Sequence, residues 1–105
     1  MAEAHQDLWE AERAYRAADF EKSIDQYLTG MTKYEKMLAQ YPDLMDDDST
    51  IEECMLAQLF WRDCLQIVEG RQPSDEDEFP LKDMWLKHQN RKDSLMEEFQ
   101  RRQRQ

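Results

Sequence analysis

Glycine, proline, cysteine and histidine are all scarce in this 105-residue chain, which has two, three, two and two of them. So few turn formers exclude a barrel or a sandwich, whose many short strands each need a turn. Gly30 and Gly70 stand alone, so no glycine-rich loop is available to cradle a phosphate. His5, His88, Cys54 and Cys64 show none of the close spacings of a zinc site, and no motif supplies a histidine to activate a serine or cysteine nucleophile. No metal or other cofactor is expected. No segment approaches the roughly 20 apolar residues of a membrane span, so no membrane insertion by this segment is expected. Met1 to Asp7 lacks the basic and apolar regions of a signal peptide. A cytoplasmic, soluble chain is expected, or the soluble part of a longer one.

What is abundant points to helix. Leu, Met, Ala, Glu, Gln, Lys and Arg dominate, and these are the stronger helix formers. The length suits one domain, residues 1–105. Acidic residues number 24 against 14 Lys plus Arg, for a formal net charge of −10. That charge repels phosphate backbones and anionic headgroups, so nucleic acid is a poor partner.

Hydrophobic spacing sets out four helices. Leu8, Ala11, Tyr15 and Ala18 form one stripe in the first, and Phe20, Ile24, Tyr27, Met31, Tyr34 and Leu38 form a wide arc in the second. Asp19 suits the cap between them, and the short turn makes them an antiparallel hairpin over about 4–42. Tyr41-Pro42 ends the second helix. Ser49-Thr50-Ile51-Glu52 has the form of a capping box, so the third helix is expected over 49–70 with Gly70 closing it. This helix is apolar nearly all round, as a central helix is, except for a polar stripe through Arg62, Gln66 and Glu69. Cys54 and Cys64 both fall on it, about 15 Å apart at helical rise, which is too far for a disulfide. A fourth helix is expected over 80–102, with Pro80 in its first turn and Leu81, Met84, Trp85, His88, Leu95, Met96 and Phe99 along its apolar face. Glu97–Arg101 and Glu98–Arg102 are i,i+4 pairs, and Arg101, Arg102 and Arg104 favour the negative helix end.

Small Ala11, aromatic Tyr15, Ala18-Asp19-Phe20 at the turn, then Ser23, Ile24, Tyr27, Gly30 and Met31 alternate small and large residues. In this the stretch from Ala11 to Met31 resembles a tetratricopeptide repeat. Pro42 comes two turns later than the family's closing proline, and residues 49–105 do not repeat the pattern. The resemblance therefore implies an all-α fold with one repeat-like hairpin packed on two further helices. Tyr-Pro-Asp-Leu at 41–44 and Glu-Phe-Pro-Leu at 78–81 also resemble a helical module of large, uncharacterised planctomycete proteins, which implies a piece of a longer chain.

Function at this level is a protein-interaction or assembly module, not an enzyme. Its partner is another protein or peptide, or a second copy of the chain. Trp9 lies off the stripe of Leu8, Ala11 and Tyr15, so it is the candidate exposed anchor, with Arg13 beside it. Asp46, Asp47 and Asp48, together with the acidic run 75–78, are the candidate surface for a basic segment. Asp46 to Asp48 followed by Glu53 lacks the central glycine and closing glutamate of a calcium loop, so a solvated loop is expected there. Two alternatives stay open. One is a small-molecule or haem-type binder with His88 as ligand; the other is an enzyme with a paired-carboxylate site.

Overall fold

A computed structural model describes residues 2–103. Among these residues the chain is all-helical, with α1 (Ala2–Arg16), α2 (Phe20–Gln40), α3 (Asp48–Glu69), α4 (Lys82–Lys87) and α5 (Lys92–Gln103). Short 3-10 turns, Pro42–Asp46 and Gln89–Arg91, precede α3 and α5. Arg104 lies outside the described residues.

The α1–α2 hairpin closes on a left-handed Ala18 (φ 63°), and Asp19 caps α2 by accepting from the Lys22 amide. Contacts then run in opposite directions along the two helices. Ser23 Oγ donates to the Ala11 carbonyl at 2.8 Å, Gly30 meets Leu8, and Tyr34 meets the His5 ring edge-to-face. Gly30 is required by this approach, since a β-carbon there would lie 2.7 Å from Leu8 Cδ2 and 3.2 Å from Asp7 Cβ. Lys33 pairs with Asp7 at 2.6 Å beside the same seam.

Helix α3 is the central element. Residues 54–62 are buried without interruption, as its apolar character predicts. It starts earlier than the capping box implies. Asp47 is the cap, accepting from both the Thr50 amide (3.0 Å) and the Thr50 hydroxyl (2.8 Å), so Ser49 sits exposed in the first turn. Several adjacent residues could cap here, and the one whose partner offers two donors holds the position. At the other end Ile67 and Val68 are exposed, because α3 overruns the helices that cover it before Gly70 (φ 77°) ends it.

Arg62, expected on the polar stripe, is instead buried at 7% exposure. Its guanidinium carbon lies 4.8 Å from the Phe79 ring centroid and 4.2 Å from that of Trp85. Its Nη1 donates to the Pro73 carbonyl and its Nε to Gln58 Oε1, while Gln58 Nε2 donates to the Pro80 carbonyl at 2.6 Å. Two polar side chains of the central helix thereby pin the segment 73–80 against it.

The expected fourth helix is broken. Pro80 lies before it, Leu81 takes the left-handed region (φ 63°), and the Leu81 amide donates to Glu35 Oε2 at 2.8 Å. The helix breaks again at His88 (φ −110°, ψ 30°), where Gln89 Nε2 donates to the Trp85 carbonyl at 2.7 Å. His88 itself is held by the turn before α3, donating from Nε2 to the Met45 carbonyl at 2.8 Å. Helix α5 then lays Leu95 and Phe99 in the core, Phe99 edge-to-face on Phe60 at 4.8 Å.

Candidate functional site

Helix α2 holds α1 on one side and α3 on another. Its hold on α3 includes Tyr27 stacked on Phe60 at 6.0 Å. Helices α1 and α3 are joined directly by two polar clamps. At one, Tyr15 Oη donates to Asp63 Oδ2 at 2.6 Å; at the other, His5 Nδ1 meets Glu53 Oε1 at 2.7 Å. Between the clamps lies a groove of about 560 Å³. Its floor is Tyr27, Leu56, Ala57 and Phe60, and α1 contributes Leu8, Trp9 and Glu12 as one wall. Ser49, Glu52 and Glu53 form the wall on α3, and Arg102 closes one end from α5. The wall residues recur at three- and four-residue spacing because each wall is one face of a helix.

Charge is distributed unevenly along this groove. Arg102 Nη1 pairs with Glu12 at 2.9 Å and its Nε with Glu98 at 3.1 Å. Burial alone would lower the pKa of Arg102, but its bonds to Glu98 and Glu12 outweigh that and raise it. At the opposite end Tyr34 Oη donates to Glu53 Oε2 at 2.6 Å, and burial together with that bond holds the phenol neutral far above its ordinary range. Tyr27 differs. Its side chain is 2% exposed, its hydroxyl has no hydrogen-bond partner among the described residues, and burial, then the Glu12 charge, pushes its pKa up.

The structure separates the residues singled out by sequence. Trp9 is 55% exposed and stands on the lip of the groove, with the Arg13 guanidinium 4.8 Å from its ring centroid. Asp46, Asp47 and Asp48 are not at the groove. Asp46 pairs with Lys87 at 2.9 Å and Asp48 with Arg91 at 2.6 Å, while Asp47 caps α3. The Lys87 bond and the Thr50 bonds lower the pKa values of Asp46 and Asp47 respectively. Asp46 and Asp48 thereby tie the start of α3 and the turn before it to the end of α4 and the turn after it. Ser49 and Glu52, next to them in sequence, do reach the groove, and helical spacing from Leu56 is the signal that could have found them.

His88 is buried with Nε2 committed to the Met45 carbonyl, which takes that nitrogen away from ligation. Both thiols are free and buried, and burial raises both pKa values, so neither is an activated nucleophile. Among the described residues no group of three or more His, Cys, Asp and Glu could hold a metal ion. No described helix is long and apolar enough to cross a membrane. Set against known proteins, the chain matches no family model, and neither a curated protein nor a solved structure matches it.

Proposed function

We propose that this chain is a protein-interaction module that receives a segment of another protein in the α1–α3 groove. The observation that carries it is the groove itself, a concave site between two helices with an exposed tryptophan on its lip. Tryptophan is among the residues enriched at the anchoring positions of interfaces. The likeness of 11–31 to a tetratricopeptide repeat supports the same role. No nucleic acid is implicated, given a formal net charge of −10.

The test places a photo-crosslinking residue at Ser49, exposed on the α3 wall, in the full chain expressed in its source cells. Crosslinks to another protein should form there and be lost in Trp9→Ala, with circular dichroism unchanged. A yield no higher than from a control at exposed Glu21 would remove the groove as the interface.

A further inference from the structure

We propose that the groove, if it docks a partner as argued above, takes a lysine or arginine side chain from a segment with a neighbouring apolar residue. Its methylene stem lies on Leu56, Ala57 and Phe60, and its charged head reaches Tyr27 and Glu52.

The first ground is the hydroxyl of Tyr27, a residue lining the groove, which is buried without a partner among the described residues. Buried polar groups are nearly always satisfied, so an orphan that lines a groove points to a group arriving from outside. The charge around it chooses the kind of group. Burial and then the Glu12 charge oppose the ionisation of this hydroxyl while Arg102 favours it, and Glu52 and Glu53 stand on the far wall. Glu52 is exposed and has no ion pair among the described residues. An ammonium or guanidinium donates to the hydroxyl oxygen in a groove where Glu12 is already held by Arg16 and Arg102 and Glu53 by His5 and Tyr34, so Glu52 is the carboxylate left to meet it; a carboxylate or phosphate would find one guanidinium, Arg102, against three carboxylates.

The second ground is shape. A polar head on an apolar floor is the pattern that Lys and Arg satisfy, stem buried and head paired. The protein already uses it here, since Arg102 enters the end of the same groove from α5 to reach Glu12. Trp9 on the lip accepts a cation on its face, as Arg13 shows.

The experiment titrates the full, isotope-labelled chain with butylguanidinium, butanol and butyrate, following the Trp9 indole and Ala57 amide signals by NMR. Butylguanidinium should shift both at millimolar concentration, at least about tenfold more tightly than butanol, the factor expected for one charge-assisted hydrogen bond. Butyrate should shift neither. Tyr27→Phe and Glu52→Gln should each weaken the cation by about threefold or more without lowering the melting temperature. Equal binding of alcohol and cation would overturn the charge preference and leave the groove as a docking site. Cation shifts that map elsewhere, or that survive both substitutions, would overturn the proposal. Silence from all three probes overturns it too; whether the docking role also falls is then read separately from the crosslinks at position 49.

Discussion

Two tyrosines one heptad apart on α2 should respond with opposite sign to the loss of a single oxygen. Tyr27 keeps its hydroxyl buried and unpartnered, whereas Tyr34 donates at 2.6 Å to the Glu53 carboxylate. A buried unsatisfied polar group costs about 1–3 kcal/mol, and a hydrogen bond to a charged group contributes about 1.5–3 kcal/mol. Tyr27→Phe keeps the ring stacked on Phe60 and removes only the orphaned group. Taking the low end, it should stabilise the fold by about 1 kcal/mol and raise the melting temperature by about 4 °C. Tyr34→Phe removes a donor that Glu53 loses while keeping His5, so it should cost about 1.5 kcal/mol and lower the melting temperature by roughly 6 °C. Scanning calorimetry at fixed pH and salt, with urea titration as a second measure, reads both changes. If Tyr27→Phe destabilises as much as Tyr34→Phe, then the Tyr27 hydroxyl is satisfied in solution and the orphaned group gives no case for an incoming donor.

Three further outcomes follow from the same contacts. Arg62→Ala should cost about 3 kcal/mol in urea denaturation, since it removes a desolvated cation from two aromatic faces and strips two acceptors of their donor; a loss under about 1 kcal/mol would mean the guanidinium contributes little. Phe60→Ala should cost about 4 kcal/mol and Phe99→Ala about 2, because Phe60 meets Tyr15, Tyr27 and Phe99 in the centre while Phe99 lies on the last helix; equal losses would make α5 as central as α3. Stability should fall as pH rises above about 9. Burial raises the pKa values of Cys54, Cys64, Tyr27 and Tyr34, so the unfolded chain sheds thiol and phenol protons, near about pH 8.5 and 10, that the folded chain retains. A urea midpoint unchanged between pH 8 and 11 would contradict the burial of these groups. In parallel, neither thiol should react with a maleimide in the native state and both should do so in urea.

Local pattern carried the helices, and tertiary contact decided what pattern could not. The positions of close approach, Ala11, Ser23 and Gly30, were legible because only small residues at that spacing let two helices meet. The buried run of α3 was legible because nearly every position in it is apolar. Arg62 was misplaced because periodicity assigns a charged residue to solvent, whereas Phe79 and Trp85 come from later in the chain to enclose it. Ile67 and Val68 failed in reverse: spacing cannot say where a helix outruns its neighbours. The break at His88 has no proline or glycine to announce it, and depends on a carbonyl from before α3. The exposure of Trp9 is legible from its place off the stripe of α1, whereas Asp46 to Asp48 are marked by charge alone, which does not say where they pair. The groove could not be foreseen, since it arises from how far apart two helices stand.

Arg62 and Arg102 fasten neighbouring segments to the core in different electrostatic currencies. Arg62 holds the segment around Pro73 through ring faces and carbonyl dipoles, with no carboxylate bonded to it among the described residues and only the unbonded charge of Asp75 nearby, whereas Arg102 ties α5 to α1 through the partly exposed charges of Glu12 and Glu98. Mobile ions screen the second kind of attachment far more than the first. Raising ionic strength therefore loosens the two unequally: the end of α5 slackens over the groove while the 73–80 segment stays fastened, so salt becomes a dial on access to one part of the molecule.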